Sequence, residues 1–291
     1  MKEENINKYV GYTDNDDIDI RVQISQYLNC GNDSMSRADF YGINTYSWCN
    51  NKNTYESSGY KDMAEPLRNY SIRVIITEFG CVPPDGREFN EVATIFGPQM
   101  TDTFSGGIAY EFSNKLNYGI VDIKDGAIIK KPDYFNLKKS FSNISIFDYG
   151  ISLNTYKDSK IISECPKVSI NSRSNSEKLP PKPNENFCKC IEDSMRCKIG
   201  TVNISKNALS TESGKALDYL CGKIDCDEIS NDSSLGKYGI ISSCSSLILS
   251  NFIVNKNFIS NKMDPDFCKY PIIGSSISHS PVVKSYLSCK L

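Results

Sequence analysis

A carboxylate stands where a short apolar segment ends abruptly. Residues 73–77 are mostly β-branched and apolar, Glu78 follows them, and Gly80 then permits a turn. Such a run predicts a strand buried on both faces, as in the parallel sheets of α/β folds. In a (β/α)8 barrel the carboxyl ends of the strands face the active site, so Glu78 would face a bound substrate there. The alternative is an acid that is merely solvated or that caps a following helix.

Two more predicted strands also end in side chains that could contact a substrate. They cover residues 40–43 and 104–112, and the small residues of the second allow close packing inside a barrel. The polar-tipped or flat side chains at their ends are Asn44, Tyr46, Trp48, Tyr110 and Glu111. Tyrosines exposed in a cleft would suit stacking on sugars, but core packing is the default explanation in a chain with 17 Tyr.

Segments whose apolar residues have helical spacing lie between these strands, and this alternation indicates the fold class. Apolar positions predict helices over residues 18–28, 60–69, 88–103 and 132–141, whereas residues 9–17 are predicted as a loop. The alternation of strands and helices predicts an α/β fold with a parallel sheet. Asp16 and Arg21 would lie near the start of the first helix, where an ordinary solvated helix end is the alternative. Three strands cannot close a barrel and would leave both sheet edges unpaired.

Cysteine is the most informative feature of the composition. The chain has 291 residues, a net charge of −2 and 12 Cys, but one histidine, His279. Because neither paired C-x-x-C motifs nor Cys/His clusters occur, a disulfide framework is favoured over a metal site, and we expect no metal or cofactor. The single histidine argues against Ser-His-Asp or Cys-His catalysis. The charge balance does not suggest a nucleic-acid partner.

The ends of the sequence lack the export and anchor signals that are typical of a secreted, disulfide-bonded protein of the cell surface. Asn-x-Ser sequons at Asn32, Asn69, Asn143, Asn203 and Asn231 also favour secretion. Yet the first residues have no apolar signal-peptide core, no run reaches a transmembrane length, and the last residues form no hydrophobic anchor tail. We therefore expect that the sequence is an amino-terminally truncated form of a longer protein.

Three motifs follow one another in the first half of the chain: Ala38-Asp-Phe-Tyr-Gly-Ile-Asn-Thr-Tyr-Ser-Trp-Cys49, Thr77-Glu-Phe-Gly-Cys81 and Ser105-Gly-Gly-Ile-Ala-Tyr110. Together and in this order they resemble glycoside hydrolase family 72, the fungal β-1,3-glucanosyltransferases. The Cys-rich end, beginning Phe187-Cys-x-Cys190, is similar to carbohydrate-binding module family 43, also called X8. The resemblance implies the C-terminal part of a (β/α)8 TIM barrel over residues 1–150, a linker over 151–186 and a disulfide-rich module over 187–291.

The resemblance also implies roles for individual residues. The family's enzymes cleave β-1,3-glucan with retention, which needs two carboxyl groups roughly 5 Å apart. Glu78 matches the nucleophile, Tyr46 and Tyr110 match donor-site aromatics, and Asp16 and Arg21 match residues that hold the acceptor sugar. The family's acid/base is the Glu of an Asn-Glu pair that would lie before Met1. The pairs at residues 90–91 and 184–185 fall in a predicted helix and in the linker, so this chain alone is expected to be inactive.

Six disulfides follow from the resemblance, whereas eight cysteines in the module alone would allow 105 connectivities. The implied pairs are Cys30–Cys165, Cys49–Cys81, Cys188–Cys244, Cys190–Cys289, Cys197–Cys268 and Cys221–Cys226.

The functional hypothesis is a retaining β-1,3-glucanosyltransferase that cleaves and elongates cell-wall glucan, with β-1,3-glucan chains as donor and acceptor. By resemblance it would act at the cell surface, held to the membrane only through a glycosylphosphatidylinositol anchor that this sequence does not encode. One alternative is a non-catalytic, wall-associated protein that binds β-glucan or has a structural role. Another is a small secreted interaction module without affinity for sugars.

Overall fold

A computed structural model describes residues 8–113, 117–144, 161–199, 206–269, 275–277 and 286–290. The chain divides into two compact units, Met1–Ser172 and Arg173–Leu291. Part of the predicted linker lies outside the described residues, and the predicted boundaries at 150 and 186 stay predictions.

The first unit contains a four-stranded parallel sheet in the order β1-β2-β3-β4. Its strands are β1 Gly11–Asn15, β2 Phe40–Asn44, β3 Arg73–Phe79 and β4 Phe104–Ala109. Helices α1 Arg21–Asn29, α2 Tyr60–Ala64 and α3 Glu91–Ile95 lie between consecutive strands, and α4 Pro132–Ser142 follows them. The α/β class with a parallel sheet is therefore confirmed.

The core of this unit lies between the sheet and its helices. Ile43 on β2 and Ile76 on β3 are fully buried, as their β-branched, apolar character predicts. Met63 and Leu67, in and just after α2, and Ile95 on α3 belong to the same apolar cluster. The apolar cluster thereby joins one face of the sheet to its helices.

The prediction of a loop over residues 9–17 is wrong, and so is the count of three strands. Gly11–Asn15 pairs in parallel with Phe40–Asn44 and forms the edge strand β1. Its side chains are mostly exposed, so it carries no apolar pattern. The backbone passes close to its neighbour at Gly42, where a Cβ would come within 2.4 Å of the Thr13 hydroxyl. Residues 11–15 thus form a strand because of their main-chain hydrogen bonds to β2.

Two predictions that follow β3 also need correction. The helix predicted over residues 88–103 is limited to Glu91–Ile95, because Gly97 and Pro98 follow and the chain continues in turns. The stretch after residue 113, where no strand is predicted, contains an antiparallel hairpin, β5 Val121–Lys124 and β6 Ala127–Lys130. Its turn has Asp125 and Gly126 at positive φ, and an Asp-Gly pair is typical of such two-residue hairpin turns.

The second unit is a small helical module with short strands. It contains α5 Glu185–Asp193, β7 Cys197–Ile199, α6 Lys206–Cys221, β8 Asn231–Asp232, β9 Lys237–Tyr238, α7 Ser246–Ser260 and β10 Ser275–Ile277. The apolar face of α7 packs into its core, and two buried asparagines of this helix bind β7. Asn251 Oδ1 accepts from the Ile199 N–H, and Asn255 Oδ1 accepts from the Arg196 and Cys197 N–H groups.

All twelve cysteines are in disulfides, and the pairs are those that the resemblance implies. Two lie in the first unit, Cys30–Cys165 and Cys49–Cys81. Four lie in the second unit, Cys188–Cys244, Cys190–Cys289, Cys197–Cys268 and Cys221–Cys226. In the described part of the chain, no helix is long and apolar enough to span a membrane, and no cluster of three or more potential ligands could hold a metal.

Candidate active site

Four parallel strands end at the same edge of the sheet, and each carries a polar or aromatic side chain there. Asp16 follows β1, Tyr46 follows β2, Glu78 is the penultimate residue of β3, and Tyr110 follows β4. Backbone bonds hold these strand ends together, since the Thr45 N–H donates to the Glu78 carbonyl and the Tyr110 N–H donates to that of Phe79. The predicted site residues therefore meet at one edge.

Glu78 and Tyr46 form the centre of this site. The Tyr46 hydroxyl donates to Glu78 Oε2 at 2.6 Å. Burial, with a further contribution from the bond to Glu78, raises the pKa of Tyr46 above its ordinary value, so the phenol stays protonated and donates. Below them, Thr77 Oγ1 donates to Asn44 Oδ1 at 2.7 Å and joins the two strands. Glu78 itself is half-buried.

Three tyrosine rings lie together at this edge of the sheet, and one of them, Tyr46, is the ring that bonds the Glu78 carboxylate. The ring centroids of Tyr46 and Tyr110 are 6.3 Å apart, and Tyr118 lies 5.7 Å from the first and 5.6 Å from the second, all edge to face. We call Tyr46, Tyr110 and Tyr118 the tyrosine cluster. Tyr118 is not among the residues predicted from the sequence, because it lies outside any predicted element. Antiparallel main-chain hydrogen bonds hold the segment of Tyr118 beside the chain that follows β4. The Glu111 N–H donates to the Tyr118 carbonyl, and the Ile120 N–H donates to the Glu111 carbonyl.

Asp16 and Arg21 are also brought together, as a buried ion pair. Asp16 Oδ1 lies 2.5 Å from Arg21 Nη2, and Thr45 Oγ1 donates to Asp16 Oδ2 at 3.2 Å. Arg21, 5% exposed, also donates to the Asp62 carbonyl at 2.9 Å. Burial raises the pKa of Asp16, although the Arg21 guanidinium opposes that rise. The pair thus fixes the turn after β1 next to Tyr46, and its predicted contact with an acceptor sugar stays a prediction.

A second carboxylate, Glu111, lies at the end of β4 beside Tyr110. Its Oε1 is buried without a hydrogen-bond partner among the described residues. The site as a whole combines a hydrogen-bonded carboxylate, a neighbouring carboxylate and three aromatic rings. A carboxylate can attack an electrophilic carbon, and aromatic faces can bind the apolar faces of sugar rings. Such a set suits chemistry at the anomeric carbon of a glycoside.

Comparisons with known families agree with this chemistry. The sequence model of the family described as Glucanosyltransferase matches residues 1–145. The sequence model described as X8 domain matches residues 202–273.

The chain is similar to several fungal proteins along nearly its whole length. It is 35% identical over 282 residues to the pH-responsive protein 1 of Candida albicans, an alignment that covers 97% of this chain and 50% of that protein. It is 34% identical over 280 residues to the 1,3-beta-glucanosyltransferase GAS2 of Saccharomyces cerevisiae, covering 94% of this chain and 46% of the relative. The chain spans about half the length of these relatives.

A solved structure shows the same fold. It is that of Saccharomyces cerevisiae Gas2p in complex with laminaripentaose. The TM-score is 0.76 at 31% sequence identity, and the similarity covers 93% of this chain and 59% of that one.

Proposed function

The chain belongs to the glucanosyltransferase family, glycoside hydrolase family 72, and from this premise we propose that it acts on β-1,3-glucan as a retaining transglycosylase with Glu78 as its nucleophile. The observation that supports this most directly is the Glu78 carboxylate, held by the Tyr46 hydroxyl at the carboxyl edge of a parallel sheet. A barrel fold presents its reacting groups at that edge.

The proposed reaction has two displacements at one carbon. A Glu78 carboxylate oxygen bonds to the anomeric carbon of the donor while the glycosidic carbon–oxygen bond breaks, and the leaving oxygen takes a proton from a general acid. A hydroxyl group of an acceptor glucan then attacks the same carbon, gives its proton to the general base and releases Glu78. Retention requires this acid/base group to be a second carboxyl about 5–5.5 Å from the nucleophile. The resemblance matches no residue of this sequence to that group, so for this chain alone we propose only the bond between Glu78 and a donor whose leaving group needs no proton.

The tyrosine cluster and the ion pair supply binding rather than bond making in this proposal. Tyr46 orients the nucleophile, and the rings of Tyr110 and Tyr118 offer faces and edges for donor sugars. Asp16 and Arg21 support the acceptor side at the end of β1, next to Thr45. Transfer must compete with water, so an acceptor held in the attack position is the decisive requirement.

An activated donor tests the nucleophile without needing the general acid. A 2-deoxy-2-fluoro-laminaribiosyl fluoride loses fluoride without protonation, and the fluorine at carbon 2 slows turnover of the glycosyl-enzyme. We expect the mass of the full chain to rise by one disaccharide unit, with the label on the peptide that contains Glu78. Glu78→Gln is nearly isosteric and should abolish labelling while the fold is kept.

Glu111→Gln is the matched control, because Glu111 follows the neighbouring strand β4 and is partly exposed like Glu78. Labelling should persist in this variant. A label that survives Glu78→Gln and disappears in Glu111→Gln would show that the nucleophile is not Glu78. A chain that retains laminarin but is never labelled would favour the non-catalytic glucan-binding alternative.

The proposal also covers location. Six disulfides require an oxidising compartment, so we propose secretion to the cell surface and glycosylation at the sequons. Attachment through a glycosylphosphatidylinositol anchor is proposed from the family resemblance. The second unit would then bind or support the glucan chain, as its match to the X8 domain suggests.

A further inference from the structure

A buried arginine lies directly behind the tyrosine cluster. Arg87, between β3 and α3, is 2% exposed, and its guanidinium faces Asp133 in the first turn of α4. Arg87 Nε and Nη2 both lie 2.7 Å from Asp133 Oδ2. A buried charge destabilises a fold unless it is paired with an opposite charge and fully hydrogen-bonded. The remaining hydrogen bonds of Arg87 therefore indicate its role.

Those contacts are main-chain carbonyls of the segments that carry the site. Arg87 Nη1 donates to the Tyr110 carbonyl at 2.9 Å, and Nη2 donates to the Tyr118 carbonyl at 2.6 Å. A longer contact of 3.4 Å joins Nη1 to the carbonyl of Gly80, which closely follows Glu78. One planar group therefore ties together the chain after β3, the chain after β4 and the segment that returns with Tyr118.

The aromatic surroundings keep this group in place. The guanidinium carbon lies 4.9 Å from the Phe89 ring centroid and 6.0 Å from that of Tyr118. The Asn136 side chain donates to the Arg87 carbonyl at 2.9 Å, which fixes the backbone of the arginine to α4 as well. Only a guanidinium offers five donors in one rigid plane, so a lysine could not reproduce these bonds.

We propose that Arg87 is a positioning residue that sets the places of the Tyr110 and Tyr118 rings beside Glu78. It acts through the two carbonyl bonds and does not touch the sugar, and Asp133 supplies its counter-charge. The importance of this for sugar chemistry rests on the proposed function, but the ring geometry itself does not. Removing Arg87 should therefore displace the rings and slow the reaction of Glu78 with an activated donor.

The first test needs no ligand. In the full chain with labelled tyrosine, ring-to-ring nuclear Overhauser contacts between Tyr110 and Tyr118 are expected, since their centroids are 5.6 Å apart. Arg87→Met should abolish these contacts. Arg68→Met is the matched control, because Arg68 also pairs with an aspartate, Asp102, but at the surface. Contacts that persist unchanged in Arg87→Met would overturn the proposal.

The second test uses the rate at which the fluorinated donor labels Glu78. Misplacement of a binding group by about 1 Å can cost roughly 10²-fold in rate, and we expect a loss of that order in Arg87→Met and none in Arg68→Met. Arg87→Lys keeps the positive charge beside Asp133 and so guards against simple unfolding. This variant should melt below the wild type but stay folded at the assay temperature, which circular dichroism checks, and it should lose the ring contacts and most of the labelling rate.

Chemical rescue separates positioning from general destabilisation. In Arg87→Ala, guanidinium at millimolar, non-denaturing concentration should restore the ring contacts and labelling, whereas potassium chloride of equal ionic strength should not. Wild-type labelling and ring contacts in Arg87→Lys would refute the positioning role. If the wild type is never labelled, the proposed function fails, and the ring contacts still decide the role of Arg87.

Discussion

Glu91 gives the sharpest prediction about stability. It is the first residue of α3, only 4% exposed, in an apolar region that includes Val92 and Ile95. Burial raises the pKa of Glu91 from 4.5 to about 7, although a bond from the backbone and the charge of Arg87 oppose the rise. The folded chain therefore holds a proton on Glu91 at pH values where the unfolded chain has released it.

The sign of the pH dependence follows directly. Between about pH 4.5 and pH 7 the folded state binds more protons than the unfolded state, so the free energy of unfolding falls as the pH rises. At 1.36 kcal/mol per pKa unit, the difference between 4.5 and about 7 corresponds to about 3 kcal/mol. The contribution is constant below this window, and the loss is complete above it.

Glu91→Gln should remove this dependence, because the amide has nearly the same shape and does not titrate. We expect equal unfolding free energies for variant and wild type near pH 4.5, and a variant more stable by up to about 3 kcal/mol at pH 8. Urea unfolding of the full chain across this range provides the measurement. The control is Glu88→Gln, which changes an exposed carboxylate three residues earlier and should leave the wild-type slope unchanged. If wild type and Glu91→Gln lose stability in parallel between pH 5 and pH 8, the reasoning about the buried carboxyl group is wrong.

Two further predictions concern the hydrogen bonds of single side chains. Glu78→Gln should lower the pKa of Tyr46 toward its ordinary value without reaching it, because the hydrogen bond to the carboxylate and its charge disappear while burial remains. Ultraviolet titration, with the Tyr46→Phe variant as reference, measures this pKa. An unchanged pKa of Tyr46 would contradict the pairing of Tyr46 with Glu78. Asn255→Ala should destabilise the second unit by about 2–4 kcal/mol, because the N–H groups of Arg196 and Cys197, the second of them buried, lose their acceptor. Urea unfolding checks this against Asn231→Ala at an exposed position, and equal stabilities of the two variants would be incompatible with it.

The amino-acid sequence by itself determined the strands that build the site. β2, β3 and β4 were predicted because each is a short run of β-branched, aromatic or small residues buried in the sheet, and burial leaves an apolar pattern. Their parallel order follows from the helices between them. It also follows that Tyr46, Glu78 and Tyr110 share one edge, since parallel strands all end on the same side.

Only the tertiary structure decided the features that depend on contacts between distant segments. β1 is held by main-chain pairing and leaves its side chains in solvent, so no local pattern marks it. Tyr118 joins the tyrosine cluster only in the folded chain. Arg87 likewise bonds the Tyr110 and Tyr118 carbonyls and Asp133, which lie 23 to 46 residues further along the chain. A side-chain bond to a remote carbonyl places no constraint on neighbouring residue types, and for that reason the sequence carries no periodic trace of it.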